Sequence, residues 1–422
     1  MWTTRALGEI CDDVGGVIQT GPFGSQLHES DYVADGVPVV MPKNILDGKI
    51  DTSDIAFISE ENANRLGRHK MAVGDIVYGR RGDIGRRGLI GPKENGWFCG
   101  TGCLRVSLGD RVVDPSYLYY YLGQPSVVMW IANQAVGATM PNLNTGILRS
   151  VVVTYPRLSV QKRMASILSA YDDLIENNTR RIKILEDMAQ MIYREWFVNF
   201  RFPGHENVRM VESELGPIPE GWTAKCVTDA VLINPTTKVT KEGAKPFLPM
   251  GSLSENSMLI NDVESREGNS GAKFKNGDTL FARITPCLEN GKTGFVQFLP
   301  SDDAVAFGST EFIVLRSRTV CPEYVYLMAR SSEFRDNAIK SMSGATGRQR
   351  VQEACFNRFF IAQPEHDTLV CFENIVGPMF ELIHALNSRN INLRTTRDFL
   401  LPKLISGEVS VEAATELMEQ TA

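Results

Sequence analysis

Two stretches of the chain carry apolar residues at alternating spacings of three and four, the pattern of helices that pack along a narrow seam. The seam positions are Met164, Ile167, Tyr171, Leu174, Asn178, Ile182, Leu185, Ala189, Ile192 and Trp196 in the first stretch, and Leu369, Phe372, Val376, Met379, Ile383, Leu386, Asn390, Leu393, Arg397 and Leu400 in the second. Each seam has one central asparagine, Asn178 or Asn390, and such a residue fixes the register of a coiled coil at a cost in stability. We predict two long helices that pair with each other. The alternative is two unrelated amphipathic helices on separate cores.

Short similarities recur in the same order at a separation of about half the chain. They relate residues 74–78 to 277–281, 100–102 to 308–310, 114–119 to 321–326, and 137–139 to 344–346, and Gly221-Trp222 takes the place of Trp2. Because this period is too long for a solenoid repeat, it predicts a duplicated unit, in which each mixed domain is followed by a long helix.

The segments before the two helices have the texture of α+β domains. Short β-like runs at 37–41, 76–78, 104–106 and 151–153, and again at 279–283, 311–315 and 359–362, alternate with clusters of Gly, Pro, Asn and Asp. Helices are predicted at 115–122, with Asp114 as its cap, and at 322–330. The predicted divisions are a domain at 1–157, a long helix at 158–201, a second domain at 202–365, and a distal helix and tail at 366–422.

Charge and targeting signals restrict the partners and the compartment. The chain has 422 residues and a net charge of −6, whereas a protein that wraps nucleic acid alone is usually basic. Either DNA is not the partner, or other subunits neutralise much of the phosphate charge. Apolar runs end within a few residues, no basic start precedes an apolar stretch, and eight cysteines are scattered. We expect a cytoplasmic protein with reduced thiols and no membrane span.

Candidate catalytic motifs fail on inspection. Gly291-Lys292-Thr293 resembles the end of a phosphate-binding loop, but Pro286 stands where the loop requires glycine. The run 114–117, Asp-Pro-Ser-Tyr, lacks the second proline of the adenine methyltransferase signature and is interpreted as a helix start. The five histidines are isolated, and acidic pairs such as Asp172-Asp173 are expected to be solvated. Cys99 and Cys103 lack the spacing of zinc ligands. The sequence predicts no catalytic residue and no metal site.

One cluster does suggest chemistry. Residues 79–88, GRRGDIGRRG, put Arg80, Arg81, Arg86 and Arg87 in a glycine-rich loop between strands. Arginine grips phosphate and the O6/N7 edge of guanine with two parallel hydrogen bonds. Basic and amide residues at matching places of the two halves extend the predicted DNA-binding set, namely Asn142, Asn144, Arg283, Asn290, Lys292, Arg348 and Arg350, and the set also includes Gln26, Lys43 and Asn44. The alternative is a solvated, flexible turn.

These features together resemble the specificity subunits of type I restriction-modification systems. The resemblance covers essentially the whole chain and is carried by residues 167–206 and 393–409 for the two helices, and by 21–45, 78–88 and 307–316 for the domains. It implies a non-catalytic subunit in which two target-recognition domains each read half of a bipartite DNA site. It also implies that antiparallel helices separate these domains.

The same resemblance implies partners and cofactors. The helices, including the seam residues from Ile167 to Trp196 and from Met379 to Leu400, would dock two methyltransferase subunits, to which restriction subunits can add. S-adenosylmethionine is then expected in the methyltransferases, and ATP and Mg²⁺ in the restriction subunits, with no cofactor in this chain. Helices of about 32 to 37 residues are roughly 50 Å long, which predicts half-sites separated by about five to eight base pairs, since a duplex turn is about 34–36 Å.

Three alternatives stay open. The chain could be the specificity subunit of a methylation-only assembly, which neighbouring genes would distinguish. It could be a coiled-coil scaffold whose domains bind proteins or glycans, and absence of DNA binding with a methyltransferase present would favour that. An unusual methyltransferase would have to bind its cofactor as an isolated chain.

Overall fold

A computed structural model describes residues 2–46, 48–82, 84–134, 142–345 and 347–414. The chain divides into two compact units. The first unit comprises residues 1–174 and 393–422, and the second comprises residues 175–392. Each predicted long helix contributes one part to each unit, because the divisions at 174/175 and 392/393 fall inside the helices.

The first unit combines twelve short strands with five short helices among the described residues. The strands are β1 (Thr3–Ala6), β2 (Val17–Thr20), β3 (Tyr32–Val33), β4 (Val37–Val40), β5 (Ile45–Leu46), β6 (Lys49–Ile50), β7 (Ala56–Ile58), β8 (Ile76–Gly79), β9 (Arg87–Leu89), β10 (Phe98–Cys99), β11 (Cys103–Ser107) and β12 (Val152–Tyr155). The helices are α1 (Leu7–Val14), α2 (Glu60–Arg65), α3 (Pro115–Tyr121), α4 (Pro125–Gln134) and α5 (Thr145–Ser150), followed by the long helix α6 (Leu158–Tyr193).

Two four-stranded sheets form the first unit's scaffold. One is antiparallel in the order β2-β11-β8-β9, with Leu104 opposite Thr20 and Tyr78. The other has the order β10-β4-β7-β3, in which β10 and β4 are parallel. Strands β1 and β12 pair at the start of α6, and β5 and β6 form a small hairpin. Side chains on both faces of β8 are buried, so this strand is central to the unit.

The second unit begins within α6 and contains the remaining elements. Its strands are β13 (Met210–Ser213), β14 (Gly216–Pro219), β15 (Thr223–Cys226), β16 (Val231–Ile233), β17 (Lys245–Leu248), β18 (Glu264–Arg266), β19 (Ala272–Phe274), β20 (Thr279–Ala282), β21 (Thr293–Phe295), β22 (Ala306–Gly308), β23 (Phe312–Ser317) and β24 (Phe360–Gln363). Its helices are α7 (Val227–Ala230), α8 (Pro322–Arg330) and α9 (Ser332–Lys340), followed by the long helix α10 (His366–Ser406).

The second unit's main sheet has the order β16-β23-β20-β21, which is the order of the first unit's main sheet, strand for strand. Its other large sheet, β18-β17-β22-β19, again contains a parallel pair, β17 with β22. Strands β15 and β24 pair just before α10, as β1 and β12 pair just before α6. The predicted strands and short helices lie within a residue or two of their predicted positions. A mixed α/β architecture is therefore confirmed.

Aromatic packing joins both long helices to the core of the second unit. The Phe197 ring lies 4.8 Å from Tyr324 of α8 and 4.8 Å from Phe372 of α10, centroid to centroid. Further along α10, Phe380 lies 5.0 Å from Phe295 of β21 and 5.7 Å from Tyr326. Edge-to-face pairs of this kind add stability beyond the area that they bury. The helices are consequently part of the folding core of this unit.

The first unit has a polar connection in the corresponding place. Asp172 of α6 accepts a hydrogen bond from the Tyr120 hydroxyl of α3 at 2.6 Å and pairs with Arg397 of α10. The expectation that Asp172 is solvated was therefore wrong, because the side chain is half-buried between two other helices. Its neighbour Asp173 is exposed.

The predicted seams agree with the burial along both helices. Of the ten positions in each, all are buried except Leu174, Leu185, Ile192, Met379 and Arg397, which are half-buried. Within the second unit, Asn178 Nδ2 donates to Asn390 Oδ1 at 2.9 Å, and Asn390 lies within 3.4 Å of Ile175 O and Thr179 Oγ1. Helix α6 ends at Tyr193 and continues as a π-turn over Arg194–Val198 that carries Trp196.

Two further expectations need correction. Trp2 is 39% exposed, whereas Trp222 is buried and stacks on Phe202 at 5.0 Å, so the two tryptophans do not have the same role. The expectation that no segment approaches a membrane span was also too strict. Helix α10 contains an apolar window long enough to cross a membrane by length and composition. Its seam residues, among them Phe372, Val376 and Ile383, are buried in the core of the second unit.

The paired asparagines give a test of the helix packing. Replacing Asn178 with Ala leaves the buried Asn390 Oδ1 without its hydrogen-bond donor, and an unsatisfied buried polar group costs about 1–3 kcal/mol. We expect Asn178→Ala to lower the free energy of unfolding by that amount in urea denaturation followed by circular dichroism. Asn177→Ala, an exposed change one residue away, is the matched control. Equal stability of the two variants would contradict the proposed role of the pair.

Candidate nucleic-acid interface

A buried Asp–Arg ion pair joins the two inner strands of the main sheet in each unit, with the aspartate at an equivalent position. Asp75 precedes β8 and lies 3.5 Å from Arg105 of β11, while Asp278 precedes β20 and accepts two hydrogen bonds of 2.7 Å from Arg316 of β23. Each carboxylate also accepts a backbone N–H three residues earlier, at 2.9 and 2.8 Å. The hydrogen bond to Asp278 raises the pKa of Arg316, so this guanidinium stays charged. Such buried pairs hold the two strands in register.

Glycines precede both carboxylates for a geometric reason. Gly74 and Gly277 have φ of +89° and +84°, a region that favours glycine. A Cβ on Gly74 would lie 3.1 Å from Pro115, and one on Gly277 would lie 3.6 Å from Pro322, the first residues of α3 and α8. The similarity of residues 74–78 to 277–281 therefore reflects the same local structure in the two units.

Beyond these strands, each unit brings two distant loops together. We define the first loop pair as the described residues of 80–86 with 142–144, and the second loop pair as the described residues of 283–292 with 343–350. Leu143 N donates to Arg80 O at 2.9 Å, and Val351 N donates to Arg283 O at the same distance. Each arginine side chain donates back to the same partner residue, Arg80 to Leu143 O at 3.1 Å and Arg283 to Val351 O at 3.4 Å. These two arginines therefore stabilise the loops.

The four arginines between residues 80 and 87 have different environments. Arg87 donates from Nε to Tyr119 O at 2.9 Å, and its guanidinium lies 4.7 Å from the Tyr119 ring centroid. Arg86 is half-buried. Arg81 is exposed, and a backbone bridge joins it to Asn142. Of the four arginines, Arg81 is the most accessible to a ligand.

Several predicted amide contacts are used within the fold. Asn44 is 2% exposed, accepts from Met41 N at 3.0 Å and donates to Asp51 O at 3.2 Å, so its side chain is inaccessible to DNA. Asn144 caps α5 by accepting from Ile147 N at 2.9 Å. For these two residues the structure indicates a structural role, because their acceptors are already engaged.

The remaining candidates of the first unit lie near or beyond the loop pair. Lys43 is exposed and pairs with Asp54, in a turn whose Pro42 packs beside Gly79 at the end of β8. Gln26 lies on a different turn and accepts from Phe23 N at 3.3 Å. Lys43 can therefore contribute charge beside the first loop pair, whereas Gln26 is held by its own turn. The related positions 137–141 lie outside the described residues.

The second loop pair combines basic residues with two carboxylates. Arg283 lies 3.2 Å from Glu353, and Arg350 makes hydrogen bonds of 2.6 and 2.9 Å to Glu311. The Arg350 hydrogen bonds lower the pKa of Glu311, so this carboxylate is ionised at neutral pH. Arg348 is exposed. The second loop pair therefore presents positively charged side chains, two of which are held in place by glutamate carboxylates.

The other two residues of the second loop pair are less constrained. Asn290 is exposed and donates to Glu255 at 3.0 Å, and Lys292 is half-buried.

The sequence did not identify Glu311 as a site residue, although Glu311 directly follows residues 308–310, one of the repeated segments. It also missed an open groove of about 530 Å³ beside Arg283, lined by Thr236, Thr237, Lys273 and Thr310 among others. These side chains come from four separate segments, so only the fold brings them together.

The side chains of the loop pairs are suited to binding a ligand through hydrogen bonds and charge. Asp114 caps α3 by accepting from Tyr117 N at 3.0 Å, as expected for a helix start. In the described part of the chain, no group of three or more His, Cys, Asp or Glu residues could hold a metal ion. Burial raises the pKa of Cys99 to about 12, which keeps this thiol unreactive. The loop pairs offer guanidinium, ammonium and amide groups at the end of a rigid sheet.

Arg87 of β9 and Arg81 of the first loop pair should behave differently. Arg87→Ala removes a charged hydrogen bond and a cation–π contact, and we expect it to lower the free energy of unfolding by about 1.5–3 kcal/mol. Arg81→Ala removes the same charge from an exposed side chain and should change stability by less than about 0.5 kcal/mol. Thermal or urea unfolding of both variants checks this, and equal losses would contradict the assignment.

Comparison with known proteins gives a consistent result. A family model described as the type I restriction modification DNA specificity domain matches residues 1–187. The MjaIX specificity subunit of a type I restriction enzyme from Methanocaldococcus jannaschii is 24% identical over 429 residues, covering 97% of this chain and 94% of that protein. The EcoEI specificity subunit of Escherichia coli is 26% identical over 212 residues, 49% of this chain and 35% of that protein.

A solved structure shares the fold. The S subunit of a type I restriction-modification system from M. genitalium matches with a TM-score of 0.56 at 13% identity, covering 96% of both chains. At this identity the match supports the architecture and says nothing about individual side chains. It extends the likeness beyond the residues that the family model covers.

Proposed function

We propose that this chain, which belongs to the specificity subunits of type I restriction-modification systems, reads a bipartite site on double-stranded DNA, with one half-site for each unit. As a specificity subunit it is a non-catalytic targeting subunit. The first loop pair would contact one half-site and the second loop pair the other. The observation that carries this proposal is that equivalent loops, held by equivalent backbone hydrogen bonds, present different side chains in the two units.

A duplication explains that observation. The main sheets have the same strand order, and in each unit an Asp–Arg pair lies at the start of the strand that leads to the loop. A repeated scaffold with changed loops is what two readers of different sequences require, since base contacts specify while backbone contacts position. The exposed residues Arg81 in the first unit and Arg348 in the second can add phosphate contacts, which position the subunit.

The negative net charge of the chain implies that other subunits take part in DNA binding. A net charge of −6 opposes DNA binding by this subunit alone, although the loop pairs are locally basic. We propose that two methyltransferase subunits dock on the long helices and neutralise most of the contacted phosphates. An exposed apolar row on α6, formed by Ile184, Met188 and Met191, supports this, because such surfaces mark protein interfaces.

The rest of the assembly follows from this role. S-adenosylmethionine would be bound by the methyltransferase subunits, and ATP and Mg²⁺ by restriction subunits where these are present. The complex would act on DNA in the cytoplasm. A methylation-only assembly remains an alternative of the same class, and the neighbouring genes distinguish the two. A scaffold that binds proteins or glycans is less well supported, because the basic loop pairs would then have no ligand.

The modular assignment predicts the effect of a domain exchange. Replacing residues 1–157 with the corresponding segment of another specificity subunit should change one half-site and leave the other intact, because the second unit keeps its own loops. Methylome mapping of cells that express the hybrid with its methyltransferase measures both half-sites. The unmodified chain is the control, and a change in both half-sites would contradict the modular assignment.

The two helices are proposed to set the distance between half-sites. Deleting residues 175–181 of α6 together with 387–393 of α10 removes two turns from each helix and takes out Asn178 and Asn390 together. A seven-residue deletion preserves the seam and shortens a helix by about 10 Å. We expect the nonspecific gap to shorten by about two to three base pairs. Methylome mapping with an unchanged gap would disprove the spacer role.

A further inference from the structure

The hydrogen bonds between Glu311 and Arg350 use only one edge of the guanidinium. Glu311 accepts from Nε at 2.9 Å and from one terminal nitrogen at 2.6 Å, which is the side edge of the planar group. The end edge, with one N–H from each terminal nitrogen, is directed away from the carboxylate. Guanine offers O6 and N7 in the major groove to such a pair of parallel donors. One guanidinium can therefore bind Glu311 and a guanine at the same time.

The backbone beneath Arg350 is held on both sides. Arg350 N donates to Ser343 O at 2.9 Å, and Ser343 N donates back to Arg350 O at 3.0 Å. A further bridge joins Arg350 to Ile284 of the neighbouring loop. Because both the backbone and the guanidinium plane are fixed before a ligand arrives, little conformational freedom is left to lose on binding. The side chain is still 47% exposed, so the end edge is accessible.

Glu311 is itself rigidly placed. It lies in the turn just before β23, where Glu311 N donates to Ser309 Oγ at 3.1 Å and Glu311 O accepts from Arg283 N at 3.0 Å. Its side chain is 22% exposed. A carboxylate on a surface that meets DNA repels phosphate, so its presence needs a compensating role. Orientation of Arg350 supplies that role.

We propose that Arg350 reads a guanine in the half-site of the second unit and that Glu311 is its positioning residue. This inference rests on the proposed function, because it assigns a base contact to the second loop pair. The equivalent bridge position in the first unit holds Asn142, paired with Arg81. The same backbone position thus carries a guanidinium in one unit and an amide in the other, which fits two readers of different sequences.

The test uses the full chain in complex with its methyltransferase subunits. The complex methylates a random duplex library, and sequencing of the methylated molecules gives the base preference at every position of both half-sites. The domain exchange identifies the half-site of the second unit. For Arg350→Ala we expect preference for guanine to fall about 5- to 150-fold at one position of that half-site. Preferences in the other half-site should stay unchanged, which also shows that the variant complex is folded and assembled.

Further variants separate reading from general charge. Arg350→Lys should lose nearly as much discrimination, because an ammonium lacks two parallel donors. Glu311→Ala should weaken the same guanine preference, and Glu311→Gln should restore part of it, since an amide oxygen can still accept from Arg350. Arg348→Ala removes an equal charge two residues away and should reduce methylation of all sequences without changing any base preference.

The outcomes are distinguishable. A wild-type complex that yields no bipartite motif overturns the proposed function itself. A bipartite motif without a required G·C pair in the second half-site overturns only the role of Arg350. The same holds if Arg350→Ala lowers methylation uniformly, which is the signature of a phosphate contact, or leaves every preference as in the wild type.

Discussion

The apolar seam along the two long helices is the constraint on which the rest of the structure depends. Within the second unit, residues of both helices pack on the same aromatic cluster as α8, so neither helix can leave without opening that core. Within the first unit, the corresponding region is joined by Asp172, Tyr120 and Arg397. If the seam contained only apolar side chains, one helix could shift along the other by seven residues at little cost in free energy. The hydrogen-bonded pair of Asn178 and Asn390 removes that freedom, because any other register would bury the two amides without partners.

Two kinds of arginine have to be distinguished in the loops. Arg80, Arg87 and Arg283 donate to backbone carbonyl groups of neighbouring segments and so maintain the loop shape. Arg81 and Arg348 are exposed, while Arg350 is held by a carboxylate yet still accessible. This division matters for any mutational study. A variant of the first kind loses activity because its loop is no longer held in shape. Such a loss must not be interpreted as the loss of a DNA contact.

The sequence predicted the helices and most strands because their signals are local and periodic. The packing of the seam even outweighs the low helix propensity of proline. Helix α10 continues through Pro378, although a proline in a helix interior costs about 3 kcal/mol. The predictions that failed depend on contacts between segments far apart in the chain. Nothing near Asp172 reveals that Tyr120 and Arg397 will surround it, and nothing near Asn44 reveals that Met41 and Asp51 will use its amide. The site was predicted as a set of residue types, and the fold decided which of them are accessible.

The differences between the two loop pairs have a physical explanation. A scaffold can change its loop side chains without unfolding only when the interactions that hold the loops lie elsewhere. Here those interactions are the backbone hydrogen bonds that cross between the loops. The buried pairs Asp75–Arg105 and Asp278–Arg316 stabilise the strands from which the loops extend. Backbone bonds are indifferent to side-chain identity, so the bridge position can hold Asn142 in one unit and Arg350 in the other at no cost to the sheet. Separating the interactions that support a loop from those that face a ligand allows one fold to be used twice for two different sequences.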